Sequence, residues 1–447
     1  MTRDTGGRAT RVGDQRATRT ALPCIVVDGI FFQYASSGIA RVWTALLEEW
    51  AKSGFIDYVV FLDRGGDSMP RAAGLRSVPM ARHDYARTGA GSLEIEKVCR
   101  ELGADLFLST YYTAPTSTPS VFFGYDMIPE MTGADLTQEV WREKRRAILH
   151  ASAHLMISEN SARDLETLYG LQPNSTFVAH CGVWKSFRPA GGMEIASFRS
   201  KYGIGETPYI LIVGERMGVD GYKNAALVFK AVGRMTDQKR YTVVCVGGSP
   251  SIEPQFKAAA PGARIIRLTL DDDELRAAYG GAHAFLYPSR YEGFGMPVLE
   301  AMACGAPVVT CRNSSLVEVA GDAALFVGED DAGGLASAIE RLCDLTVRND
   351  YIARGSERAK QFSFSEMARQ VGDALLETHD GLAQGELARP NGIWQDFREE
   401  QRLRQEAAWH RRGPLPAIRR LMVASLRRAG LLPAAKRLRS LWHGQTL

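Results

Sequence analysis

Short apolar, β-branched runs recur along the chain and alternate with stretches whose apolar residues repeat every three or four positions. The runs predict strands at 24–32, 58–63, 105–109, 120–125, 154–158 and 176–180. After a gap they resume at 209–214, 241–247, 263–268, 284–288, 307–311 and 324–327. The periodic stretches predict helices between them, among others at 39–52, 139–152, 160–169, 223–235, 272–280 and 297–304. Continuous apolar strands alternating with helices belong to parallel sheets covered on both faces. The pattern restarts at Tyr209 after a polar stretch with Pro189 and a glycine pair, which places a linker near 184–206. The expectation is α/β, two doubly wound domains at 23–190 and 205–380, with a leader at 1–22 and an extension at 381–447. Ligands of such sheets bind at the carboxyl ends of the strands, so the predicted pocket is the cleft between two facing edges.

Composition changes this picture only at the ends. A 447-residue chain exceeds one ordinary core, and its 45% hydrophobic and 23% charged residues are those of a soluble globular protein. The net charge is +3, but nine Lys/Arg and no acid fall in 407–447, leaving −6 for the rest. In 413–447 paired arginines alternate with Leu415, Ile418, Leu421, Met422, Leu426, Leu438 and Trp442. That pattern predicts an amphipathic segment suited to an anionic membrane surface. Residues 1–22 read as a basic, disordered leader with no secretory signal, and no apolar run reaches the roughly 20 residues of a membrane span. Seven scattered cysteines without a C-x-x-C read as reduced thiols. The expected location is cytoplasmic, peripheral on the inner membrane face if the tail docks there. No fold or aromatic platform for nucleic acid is visible.

The chemistry concentrates in AFLYPSRYEGFGMPVLEAMACGAPVVTC (284–311). A strand ends at Pro288-Ser289, a loop carries Glu292-Gly293-Phe294-Gly295, and a helix opens at Met296-Pro297-Val298, with proline suited to the first turn. The glycines allow a sharp turn and close approach of a ligand to main-chain amides. The helix start adds partial positive charge that suits a diphosphate. Glu292 and Glu300 flank it as acceptors for paired hydroxyls, so the arrangement suits a ligand with hydroxyls at both ends and phosphates between.

This segment resembles the signature of glycosyltransferase family 4, E-G-F-G-x-P-x-x-E-A-M-A-x-G-x-P-V, matched at every fixed position from Glu292 to Val308. The resemblance continues through most of 24–380. YILIVGERMGVDGYKN (209–224) is similar to the stretch that holds the donor diphosphate in that family, which implies this role for Arg216 and Lys223. DGIFFQYASSGIARVWTALLEEW (28–50) is similar to the glycine-rich loop facing the phosphates, placing Gly38, Ile39, Ala40 and Arg41 there. STYYT (109–113), YDMIPE (125–130), WREKRRAI (141–148) and SENSARDLETLYG (158–170) resemble bacterial members that build surface polysaccharides. Many relatives have a His before the Asp of the fifth strand's end. Here Tyr125 precedes Asp126, and a phenol can hydrogen-bond a sugar hydroxyl but is no base near pH 7.

The resemblance implies a GT-B fold, two facing Rossmann-like domains, and a retaining transfer of a hexose from a nucleotide-diphosphate sugar, GDP-mannose favoured. The acceptor it implies is a glycan or lipid-linked glycan. Glu292 would hold the hexose and Glu300 the ribose, with Lys223, Arg216 and the helix start stabilising the leaving diphosphate. Arg267 and Leu268, at a strand end, are candidates for the base pocket. No Asp-x-Asp precedes a suitable strand end, so neither an essential metal nor a cofactor is expected. Asp271-Asp272-Asp273 reads as a helix cap, His154 and His180 as satisfied core residues, and Ser315 to Glu318 as a capping box. The competing readings are a non-catalytic nucleotide-sugar sensor or assembly subunit, and a nucleotide-sugar epimerase of similar architecture that lacks the Glu-Gly-Phe-Gly signature.

Overall fold

A computed structural model describes residues 22–33, 38–66, 69–86, 89, 91–216 and 221–412, without the side chains of 405 and 407–412. The predicted leader up to residue 21 and the Arg-rich 413–447 lie outside the described residues. Thirteen strands are found among the described residues. The first sheet holds β1 (Ile25–Asp28), β2 (Val59–Asp63), β3 (Arg76–Pro79), β4 (Leu106–Ser109), β5 (Ser120–Gly124), β6 (Ala153–Met156) and β7 (Phe177–Val178). The second holds β8 (Tyr209–Val213), β9 (Thr242–Val246), β10 (Arg264–Leu268), β11 (Ala284–Tyr287), β12 (Val308–Cys311) and β13 (Ala324–Val327).

Strand order is β3-β2-β1-β4-β5-β6-β7 in one sheet and β10-β9-β8-β11-β12-β13 in the other, and every pair is parallel. Both therefore start in the middle, run to one edge and then reverse. The reversals fall between β1 and β4 and between β8 and β11, and crevices open there at the carboxyl ends. The central strands are buried except at Val213, the last residue of β8, as expected for sheets covered by helices on both faces.

Eleven of the twelve predicted strands lie within a residue or two of their expected bounds. The first is shorter, because the chain leaves the sheet at Gly29. A Cβ there would sit 2.2 Å from the Phe61 ring, and a short 3-10 turn, Ile30–Gln33, follows. The thirteenth strand, β3, is an exposed edge of Arg, Ser, Val and Pro with no apolar run to announce it. Its pairing with β2 is a tertiary outcome.

One boundary falls elsewhere than the periodicity implied. Helix Phe364–Gln384 runs through residue 381, because its buried stripe of Met367, Val371, Leu375 and Leu382 continues to the left-handed Gly385. It packs on helix Gly38–Ser53 of the first sheet, where Trp50 Nε1 donates to Ala368 O at 2.9 Å. Trp184 and Phe364 stack beside it at 4.0 Å. Both sheets and this helix belong to one compact unit ending at Arg389, and the described residues from Pro390 onward belong to a second. Within the second, helix Ile393–Arg412 is polar and carries local ion pairs such as Arg402 with Glu399 and Glu406. No described helix is long and apolar enough to cross a membrane.

Candidate active site

The second sheet's crevice is narrow, lined by Gly214, Glu215, Arg216, Lys223, Tyr287 and Pro288. Lys223 stands on the turn after β8. The next residue, Asn224, is left-handed and ties that turn to the ends of β11 and β13 by donating to Pro288 O at 3.1 Å and Glu329 O at 2.7 Å. Lys223 Nζ then donates to Glu292 Oε1 and to Tyr287 Oη, both at 2.7 Å. The third ammonium hydrogen remains for a ligand. Tyr287 was not among the expected residues; its signal was its place as the last residue of a strand at the reversal point.

The Glu292 loop is held by the next helix start. Glu292 N donates to Ser314 Oγ, and Ser315 Oγ donates to Glu292 O and Phe294 O. Gly295 is left-handed at φ 104° and leads into helix Met296–Ala303, with Pro297 in its first turn as expected. Phe294 and Val298 point into the core, so they offer a ligand only their backbone, while Met296 is half-buried. Gly293 differs from expectation. A Cβ there would lie 2.0 Å from Tyr125 O, so its bareness admits the backbone of the other sheet rather than a ligand.

Glu300 lies on the same helix, nearly buried, accepting from Tyr279 Oη at 3.2 Å. Burial pushes its carboxyl up to about 7, against the pull of Arg41 and of the Tyr279 hydrogen bond. The first sheet's helix start thus reaches the same place. Gly38 is exposed with open space around it, Ile39 is half-buried and Ala40 is buried. Arg41 grips Asp272 by two bonds of 2.6 and 3.1 Å and lies over the Trp184 ring. Asp271 caps helix Asp272–Gly280 as predicted.

Two expected residues are placed otherwise. Tyr125 does not present its hydroxyl to the cleft: it is buried, accepting from Trp43 Nε1 at 2.6 Å and donating to Thr110 O at 2.7 Å. A buried phenol needs both partners, and the core beneath β5 supplies them. Arg216 is also buried, with its guanidinium on Gly247 O, Ser249 O, Ser251 O and Glu253. It lines the crevice beside Lys223 but spends its guanidinium on bracing the loop after β9. Arg267 joins that loop through Gly248 O at 3.1 Å, and Leu268 stays half-buried beside it.

The capping-box expectation for Ser315 to Glu318 is corrected. Asn313 precedes helix Ser314–Ala320, and the Glu318 carboxylate leaves its own helix to accept from Glu159 N and Asn160 N. It therefore caps helix Glu159–Tyr169 of the first sheet, and it also meets His180 Nε2 at 2.5 Å. His154 is a satisfied core histidine, bonded to Ile148 O.

Two Rossmann-like sheets with a lysine–glutamate pair at one reversal point define an α/β fold built around a nucleotide-type crevice. The family described as Glycosyl transferases group 1 matches residues 207–344. The chain is 28% identical over 252 residues to O-antigen chain mannosyltransferase B of Escherichia coli, covering 54% of this chain and 65% of that protein. It is 37% identical over 106 residues to O-antigen chain mannosyltransferase RfbU of Salmonella typhimurium, covering 24% of this chain and 29% of that protein. It thus spans less than two thirds of the length of either. Among solved structures it is similar to WaaG, a glycosyltransferase involved in lipopolysaccharide biosynthesis (TM-score 0.61, 16% identity, 78% of this chain and 99% of that one). It is also similar to HepE of Anabaena in complex with UDP and glucose (TM-score 0.61, 16% identity, 79% and 100%). At such identities the likeness shows the fold, which is GT-B.

Proposed function

We propose that this protein is a retaining glycosyltransferase that moves a hexose from a nucleotide-diphosphate sugar to a hydroxyl of a glycan or lipid-linked glycan in surface polysaccharide synthesis. The observation that carries the reading is the Lys223–Glu292 pair at the β8/β11 reversal, with Glu300 in the helix that follows the Glu292 loop. Cleaving the anomeric bond builds negative charge on the leaving diphosphate. Lys223, in a part-buried crevice, and the start of helix Met296–Ala303 supply fixed positive charge for it. Glu292 and Glu300 accept from hexose and ribose hydroxyls. Neither serves as a nucleophile in this scheme, so the acceptor attacks from the face the phosphate leaves, and the departing phosphate takes its proton.

GDP-mannose is the favoured donor, supported by the two mannosyltransferase relatives. The reading includes no essential metal, and activity retained in EDTA is the expected result. The membrane surface enters through the basic 407–447, where truncation after Glu406 should abolish binding to anionic vesicles. The main test is calorimetric titration with nucleoside diphosphates and their sugars, comparing wild type with Glu300→Ala. Tight binding of one nucleotide, weakened by the substitution, is expected. A folded wild type that binds none of them would return the assembly-subunit reading.

A further inference from the structure

The seam between the sheets carries a second carboxylate that the proposed function does not use. The Gly293 peptide and the Tyr125–Asp126 turn after β5 are in direct backbone contact, since a Cβ on Gly293 would lie 2.0 Å from Tyr125 O and 2.7 Å from Asp126 Cβ. Ser161 Oγ donates to Gly293 O at 3.2 Å, and Tyr291 Oη donates to Asp164 Oδ2 at 2.5 Å, so the same loop is tied to the first sheet on its other flank. Asp126 is therefore held beside Glu292.

The Asp126 turn is rigid. Lys144, fully buried, donates to Asp126 O at 2.9 Å and to Glu130 at 2.8 Å. Asp126 Oδ1 accepts from Ile128 N at 2.9 Å. Among the described residues no donor reaches its Oδ2. Burial raises this carboxyl above the ordinary aspartate value; Lys144 and the Ile128 amide oppose the rise, and the charges of Glu130 and Glu292 add to it. A fixed carboxylate with one oxygen spoken for and one open is preorganised to accept from a ligand hydroxyl.

We infer that Asp126, from the first sheet, and Glu292, from the second, clamp hydroxyls of the donor's hexose between them. This rests on the glycosyltransferase reading and names a residue for sugar recognition within it. In this arrangement Glu300 and the start of helix Met296–Ala303 take the nucleotide, and Asp126 meets only the sugar. The clamp thus separates affinity for the sugar from affinity for the nucleotide.

Calorimetry on the full chain with GDP, GDP-mannose, UDP and UDP-glucose tests it, using wild type, Asp126→Asn and Glu300→Ala. Asparagine keeps Oδ1 for the Ile128 amide, so the turn is preserved. The expected result is a loss of about tenfold or more in affinity for the nucleotide sugar. Affinity for the matching nucleoside diphosphate stays unchanged, whereas Glu300→Ala weakens both. An Asp126→Asn protein that binds nucleotide and nucleotide sugar as wild type does, or loses both equally, overturns the clamp, while tight nucleotide binding by the wild type keeps the glycosyltransferase reading standing. A wild type that binds none of the four ligands overturns the glycosyltransferase reading, and the clamp with it.

Discussion

In the first sheet, where β1 and β4 diverge, Asp28 is buried against Arg64 through two bonds of 2.6 and 2.8 Å. Thr113 Oγ1 donates to the same carboxylate, Arg64 also reaches Ala81 O, and the two side chains are 0% and 2% exposed. In the second sheet, where β8 and β11 diverge, Lys223 and Glu292 also pair, but at 19% and 8% exposure and with hydrogen-bonding capacity to spare. Apart from the extra edge strand β7, strand order is the same in both sheets, so topology does not tell the two reversal points apart. One reversal point is sealed by a satisfied ion pair and works as structure. The other leaves a cation at a crevice, where the proposed donor site lies.

The contrast can be broken from the structural side first. Arg64→Ala leaves Asp28 buried without its partner, and a loss of about 3–5 kcal/mol is expected in urea denaturation, with nucleotide affinity unchanged in the folded fraction. Lys223→Ala should do the reverse: turnover falls by about 10²–10³ while the unfolding midpoint hardly moves. If both substitutions cost only stability, the two reversal points are alike and the distinction fails.

Glu300 sharpens the comparison through pH. Its carboxyl, raised from 4.5 to about 7, keeps a proton in the folded chain that the unfolded chain has already released. Its contribution to stability therefore falls as pH rises between about 4.5 and 7, by up to about 3 kcal/mol. Glu300→Gln should remove that slope from pH-dependent unfolding. Nucleotide binding in the wild type should tighten from pH 6 to 8 as the carboxylate form becomes available, and should be flat in the variant.

Smaller effects test the two corrections. Tyr125→Phe strands Trp43 Nε1 and Thr110 O, at a cost of about 1–3 kcal/mol in stability, and should leave donor affinity alone. Weakened sugar-nucleotide binding without destabilisation would restore Tyr125 to the donor site. Glu318→Ala removes a helix cap contributed across the seam and should cost about 0.5–2 kcal/mol, measured by denaturant unfolding.

Much of this was readable along the chain. Buried parallel strands are continuous apolar runs, so eleven of twelve could be placed from side-chain character. The stretch from Glu292 to Glu300 sits on consecutive local turns whose glycines and proline announce their own backbone. Other features depend on partners far away in sequence. The β3 edge has no burial pattern because only one of its flanks is paired. Tyr125, Arg216 and Glu318 are polar residues whose roles depend on which donors and acceptors packing brings near. Tyr125 finds Trp43 across 82 positions, and Glu318 finds Glu159 across 159. Asp126 shows the same limit most sharply, since nothing in YDMIPE states that Gly293 will meet it. Local periodicity and turn chemistry set the elements and the donor loop, because those follow from neighbours within a few residues. The closing of one sheet on the other assigned the polar side chains, because hydrogen bonds are short and their partners are known only after the chain has packed.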